Sequence, residues 1–507
     1  MRPPPLRLLV VLAALGAVVA VGSGVPQPDV GTAAPAQVAV VGGGAVCADL
    51  RQQPGAVRTE VAAGVAEAAV PAAPEADLPA PAVSSRRLGG EPAPDPAEPP
   101  TDLPLPAEAA VVTGLGTDLD GAALAVRATG SAAAGLAAQS TALVTAGPVR
   151  GLAVARCGAA SPDRWLLGGG TTVGESAVLL LVNPDLEPAV VDVTVLSAEG
   201  TADARPGRGL TVPALGQLAV PLDVLAPERS RLAVRVQAVR GRVASAVRHE
   251  RSDGVVPRGV AYAAAAADGP AEQVTVPGLP RGPGGRAVWV TNPGDVDVEV
   301  AVEVTTLEGQ FVPDGLDALA VPAGSSVAAD LSEVLGTTPA AVRVAAAGGP
   351  VLAVGVAEDT GEGDVRDLAY VGPAPALRGA GLLPDVLLGA AEHTVLLSAL
   401  AGDAVVELSF LPVAGQPGPA APPRRVDVPG GRTVAVPVGS LLPEGAGGRV
   451  AVQVRPDPRG SGAHVGVVVR ARPAEGPLLA GYALTAPAAT AVRPQVVRDP
   501  AVGAGTG

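Results

Sequence analysis

The 507-residue chain contains no isoleucine and no lysine, and only two phenylalanines, three tyrosines, two tryptophans and one methionine. Its interior must therefore be built from Val, Leu and Ala, without the large aromatic area that dominates most cores. Because lysine is missing, all 35 basic residues are arginine; against 49 acids they leave a formal charge of −14. That balance repels phosphate backbones and anionic membrane surfaces, which excludes nucleic acid as a partner. Two cysteines 110 positions apart, with three histidines that are never near them in sequence, make no zinc pattern. Beyond the N-terminus, the apolar runs are short and cut by Gly, Pro or charge, so no further stretch qualifies as a membrane span.

What is abundant is Gly (66), Pro (54) and small apolar residues, with 48% of the chain hydrophobic. About a quarter of the residues disfavour helix, yet the apolar content is high enough for folding. This length calls for roughly three to five domains.

The chain opens on Met1-Arg2-Pro3-Pro4-Pro5-Leu6-Arg7 and an uncharged run from Leu8 to Gly22. A basic start followed by such a run has the layout of a secretory signal, and also approaches the length of an uncleaved anchor. Residues 1–25 are therefore expected to be a signal peptide or membrane anchor, and the protein to be extracellular or at the cell surface. Export allows Cys47 and Cys157 to form one bridge, which would contribute about 4–5 kcal/mol in the chain-entropy model. The alternative is two unrelated buried thiols.

Self-similarity organises the rest. The chain's two asparagines, Asn183 and Asn292, are each followed by proline, Pro184 and Pro293, and lie 109 apart. Leu210-Thr211-Val212-Pro213 returns as Leu319-Ala320-Val321-Pro322, and Ala233-Val234-Arg235-Val236 as Ala341-Val342-Arg343-Val344 and Ala451-Val452-Gln453-Val454. Each unit closes on a related phrase: Arg150-Gly151-Leu152-Ala153, Arg258-Gly259-Val260-Ala261-Tyr262, Asp367-Leu368-Ala369-Tyr370 and Ala480-Gly481-Tyr482-Ala483. Val298 to Val304 alternates with period two, and turn residues punctuate every eight to twelve positions, as expected of strands. The fold class expected is all-β: about four tandem immunoglobulin-like sandwiches with a period of about 108 residues. That period argues against propeller blades, which repeat at roughly 40–50 residues. Leu222–Leu225 and Leu331–Leu335 are expected to form single helical turns.

The expected domains are 36–160, 163–268, 271–376 and 378–487, followed by a disordered tail over 488–507. The first carries 11 prolines between Pro71 and Pro106, which reads as an extended, solvated insertion over 71–106.

The apolar leader, the early Cys47, the Arg150-Gly151-Leu152 phrase running to Cys157, Trp165-Leu166-Leu167-Gly168-Gly169-Gly170-Thr171 and the repeated Asn-Pro units together resemble an uncharacterised exported family of high-GC Gram-positive bacteria, domain of unknown function 5719. The resemblance implies secretion or anchoring at the cell envelope and carries no catalytic residues. The fourth copy departs from it, with Ser398-Ala399-Leu400 where Asn-Pro stands in others.

Candidate sites are few. Asn183-Pro184 and Asn292-Pro293 read as strand-end turns in preference to ligand loops. Trp165 and Trp289 suit a core better than a sugar platform, and Gly168, Gly170 and Gly174 only faintly suggest a phosphate loop. The stretch from Glu358 to Asp367 holds five acids, of which Asp359, Glu362, Asp364 and Asp367 are the candidate calcium ligands, set against a plain solvated loop. His249, His393 and His464 occupy non-equivalent positions without a nucleophile or carboxylate close in sequence, and Glu299 and Glu303 keep one strand face wet. No cofactor is expected. The reading is a non-enzymatic envelope protein, a tandem-sandwich scaffold or interaction module for an envelope protein or polysaccharide, touching membrane only through its N-terminal segment. Laid end to end, the four units would make a rod on the order of 100–150 Å long. The alternative is a glycan-binding or glycan-active accessory protein, which needs Trp165 or a Tyr exposed in a cleft.

Overall fold

The computed structural model describes residues 37–48, 56–67, 79–90, 94–104, 110–115, 117, 121–266, 268–282, 284–362, 365–416, 421–444, 446–487 and 490–492. The leader over 1–25 lies outside the described residues, and so does the tail over 488–507 except Thr490–Val492, which pairs with Gln37–Ala39 in a short ribbon. Among the described residues no helix is long and apolar enough to cross a membrane.

The remaining strands are antiparallel and fall into sandwich-like units of eight main strands each. In the third, these are Gln273–Leu279, Arg286–Thr291, Val298–Thr305, Leu319–Val321, Ser326–Asp330, Ala340–Ala347, Leu352–Thr360 and Arg366–Val371. One sheet runs in the order first, sixth, third, fourth; the other runs fifth, second, seventh, eighth. The same order recurs in the units built from Gly42–Arg156, Asp163–Tyr262 and Gly381–Leu484. Second with fifth and third with sixth are the central pairs of an immunoglobulin sandwich, but here the first strand lies beside the sixth and the seventh beside the second. The seventh and eighth strands thus form a hairpin that extends the second sheet.

Local sequence accounts for these elements. In Val298–Thr305 the valines at 298, 300, 302 and 304 are buried, Glu299 is exposed, and Glu303 meets Arg343 across the sheet at 2.7 Å. The helical turns form at Leu222–Leu225 and Ser332–Leu335, burying Leu222, Leu225 and Leu335. Each unit has its own aliphatic core. Cys47 and Cys157 form a disulfide that ties the end of the first strand to the chain just past the eighth, with Cα atoms 4.6 Å apart.

Two expectations need correction. The Pro-rich stretch 71–106 is not an excursion from the sandwich: its proline-free run Ala82–Leu88 is the third strand, hydrogen-bonded on both sides, with Val83 and Leu88 buried. The prolines bracket the strand and leave its ladder donors intact.

The second correction concerns the rod, because the sandwiches close on themselves. The first sheet of one unit packs against the next unit: Val46, Leu88 and Ala125 against Val182, Leu215 and Ala244; Trp165 and Leu167 against Leu352, Val354 and Tyr370. Gly278 lies against Leu396 and Gly466, and the fourth unit returns to the first through Leu382, Val413 and Ala451 against Ala62, Val111 and Ala137. Each second sheet is therefore covered on both faces. Its seventh strand shows this directly, since Leu352 to Ala357 are buried without alternation. Sheets stacked face to face around an axis give the closure of a propeller, which the period of about 108 residues argued against; here each repeat supplies two sheets instead of one.

Candidate functional site: the axial hub and its mouth

The four eighth strands, Gly151–Arg156, Val256–Tyr262, Arg366–Val371 and Leu478–Leu484, pack against one another around the axis. At their start the sequence reads Arg150-Gly151, Arg258-Gly259 and Arg366-Asp367. Gly259 makes room for the aspartate, since a Cβ there would lie 2.4 Å from Asp367 Oδ1, and Gly151 makes room for the neighbouring strand, since a Cβ there would lie 2.8 Å from the backbone nitrogen of Val260. Asp367 is fully buried. Its Oδ2 accepts the backbone N–H of Leu152 at 3.0 Å and of Leu479 at 2.9 Å; its Oδ1 accepts that of Leu368 at 3.0 Å and of Val260 at 3.3 Å. One carboxylate thus takes one donor from each of the four sandwiches. Burial pushes this carboxyl up to about 7, opposed by the N–H groups of Leu479, Leu152 and Leu368 and by the Arg150 guanidinium.

At one end of the hub, described residues from the segments that lead into the four eighth strands line a depression of about 450 Å3. Ala146, Gly147 and Pro148 come from the first unit, Val255, Val256 and Pro257 from the second, Val365 from the third and Glu475 from the fourth. Val255 is 95% exposed. Arg150 also lines the depression and is 3% exposed. Its Nη2 donates to the carbonyl oxygens of Gly476 at 2.5 Å and Pro477 at 2.9 Å, while Nε and Nη1 have no acceptor among the described residues. Burial holds this guanidinium below its usual range, against the attraction of Asp367 and Glu475.

The residues singled out from sequence are placed elsewhere, apart from Asp367. Asn183 is buried and donates to the carbonyls of Glu187 and Val212 while its Oδ1 accepts the N–H of Asp185; Asn292 repeats the pattern with Val296, Val321 and Gly294. Both side chains are spent on their turns, alongside Pro184 and Pro293. Of the acidic stretch, Asp359 is buried between Arg286 at 3.0 Å and Arg470 at 2.6 Å, and Glu358 pairs with Arg251. Glu362 is exposed, and Asp364 lies outside the described residues. Among the described residues no group of three His, Cys, Asp or Glu is placed to hold a metal ion. Trp165 is buried with Arg235 stacked 5.4 Å from its ring centre, and Gly168 leaves space for the Tyr370 ring, so that loop serves packing. His249 Nδ1 meets the Tyr370 hydroxyl at 3.0 Å, His393 Nε2 accepts the N–H of Leu387 at 3.1 Å, and His464 Nδ1 meets the Ala374 carbonyl at 3.0 Å.

The family model of a family of unknown function, DUF5719, matches residues 112–439, from the fifth strand of the first sandwich to just past the fifth of the fourth. The chain belongs to this family. The match takes in Arg150 and Asp367 but neither Cys47 nor Leu479. No curated protein matches the chain.

Two outcomes are expected. Asp367→Asn presents an amide NH2 to two of the four donors, leaving them unsatisfied at about 1–3 kcal/mol each; its thermal transition, read by calorimetry, should fall well below that of the parent protein. The second concerns pH. Burial depresses His249 to about 3 and His393 to about 4 and lowers His464 as well, so as pH falls from 6.5 towards 4 the histidines of the unfolded chain take up protons that those of the folded chain resist. Asp367, raised to about 7, works in the opposite direction with a single proton. Stability should therefore fall as pH drops from 6.5 towards 4, and His393→Gln should flatten that slope in denaturant titrations across the range.

Proposed function

We propose that this protein is an exported, non-enzymatic component of the cell envelope that acts as a rigid interaction scaffold, its unit an immunoglobulin-like sandwich with exchanged edge strands repeated four times. The observation that carries this reading is the shared carboxylate of Asp367, which fixes four sandwiches to one another through their backbones. A frame fixed in this way holds its turns in constant geometry, the arrangement that binding surfaces on loops require. Export is supported by the basic start and apolar run of residues 1–22 and by the Cys47–Cys157 bridge, which persists in an oxidising compartment. The net charge of −14 disfavours membrane contact other than through that N-terminal segment. The glycan reading is disfavoured because Trp165 is 5% exposed, Tyr370 and Tyr482 are buried, and Tyr262 and Trp289 are half-buried. Catalysis is disfavoured by the engagement of each histidine in a structural hydrogen bond: His249 with the buried Tyr370 hydroxyl, His393 with the Leu387 N–H and His464 with the Ala374 carbonyl.

Cell fractionation followed by chemical crosslinking and mass spectrometry tests the reading. The expected result is a disulfide-bonded protein in the envelope fraction with a reproducible protein partner attached. A reduced, cytoplasmic protein would overturn export, and recovery of cell-wall sugar alone would restore the glycan alternative.

A further inference from the structure

The turn that follows the third strand is built alike in the second and third sandwiches but shows different side chains to water. In the second, Ser197 Oγ accepts the N–H of Glu199 at 3.2 Å and donates to the Gly200 carbonyl at 2.8 Å; in the third, Thr306 Oγ1 accepts the N–H of Glu308 at 3.1 Å and donates to the Gly309 carbonyl at 3.4 Å. The returning chain keeps the same register, with Leu196 opposite Thr201 and Thr305 opposite Gln310. At matched positions Ala198, Ala202 and Asp203 give way to Leu307, Phe311 and Val312, which are 61%, 41% and 42% exposed. The fold requires none of these three, since the second sandwich makes the same turn with small or polar residues. The ring does not cover them either: the fourth unit reaches this turn through Gly431 and Arg432, which lie against Gln310 and Gly309.

We propose that Leu307, Phe311 and Val312 are the docking surface for a protein segment that carries apolar side chains between arginines or lysines. The proposal rests on the reading of the protein as an interaction scaffold and names the surface that the scaffold uses. Large apolar side chains exposed on one hairpin of a fixed frame mark a contact site, and an aromatic ring among them supplies its anchor. Charge selects the partner. The same loop carries Glu308, Asp314 and Asp317, all exposed, against the single half-buried guanidinium of Arg432, while Glu303 on the strand entering the turn is neutralised by Arg343 at 2.7 Å. This surround attracts a basic segment. It repels an anionic membrane surface, and it repels a second copy of a chain whose formal charge is −14.

The test is site-specific photocrosslinking in cells that make the full-length protein. Val312→p-benzoylphenylalanine places the reactive group in the patch, and Asp203→p-benzoylphenylalanine places it at the matched, exposed position of the second unit. Irradiation is expected to link position 312, and not position 203, to a segment of another protein whose apolar residues are flanked by arginine or lysine. Adding Leu307→Ala and Phe311→Ala, which copy the residues of the second unit and are checked for an unchanged melting transition, should lower the yield about tenfold. Made as a synthetic peptide, the linked segment should bind the parent protein and weaken about tenfold when its basic residues are replaced by glutamine. A link from position 312 to glycan, to lipid, to a second copy or to an acidic segment would overturn the assignment, as would no link at all or a yield that ignores the two alanines. A partner recovered by crosslinking the whole protein but never through position 312 would remove this surface and leave the scaffold reading standing.

Discussion

A carboxylate removed from water must have its oxygens filled by donors, and the four N–H groups at the axis must have acceptors; Asp367 meets both needs at once. The rest of the molecule depends on that exchange. Four strands can approach one axis closely enough to share a carboxylate only if two of the equivalent positions carry no side chain, and Gly151 and Gly259 hold those places. The eighth strands can reach the axis only because the seventh and eighth form a hairpin on the inner side of the second sheet. The exchange of edge strands relative to an immunoglobulin sandwich is therefore what turns a row of sandwiches into a ring.

The poverty in aromatics fits this arrangement. Interfaces between units are rich in Ala, Val and Gly set against Leu, with Gly278 against Gly466 and Leu396 and Ala62 and Ala137 against Leu382, so sheets approach with few large aromatic side chains between them. Three of the few aromatics meet between the second and third units, where Trp165, Trp289 and Tyr370 share one cluster. Charges pair there half-buried, where Arg251 joins Glu175 to Glu358, and well buried at two neighbouring interfaces, where Asp359 joins Arg286 to Arg470 and Arg449 joins Asp385 to Glu60. Breaking one such buried pair costs about 3–5 kcal/mol, which makes these contacts specific to one register of the ring.

Much of the unit was legible in the sequence. The alternation in Val298–Thr305, the paired Asn-Pro turns and the single helical turns all rest on local patterns, and the structure places them as read. The ring was not legible by the same means, because closure depends on residues that look ordinary locally. Two signals pointed to it. Runs such as Leu352-Ala353-Val354-Gly355-Val356-Ala357 lack the polar alternation of a half-wet strand, and so indicate sheets covered on both faces. The phrase that closes each repeat also substitutes Asp367 where Gly151 and Gly259 stand, a charge in an otherwise apolar strand that has no local reason. The strand within the Pro-rich stretch was hidden for a different cause: its seven residues carry Ser84, Ser85, Arg86 and Arg87, too polar to stand out between prolines.

The central claim is that the fourth sandwich returns to the first. Glu67 and Arg455 form an ion pair across that seam although 388 positions separate them. Replacing both with cysteine and treating the dilute protein with a short bifunctional maleimide tests the closure directly. A closed ring gives rapid intramolecular crosslinking between positions 67 and 455, visible as a linked peptide in mass spectrometry. An open row of sandwiches would hold the two positions far apart, and two singly modified cysteines with no linked peptide would contradict the account.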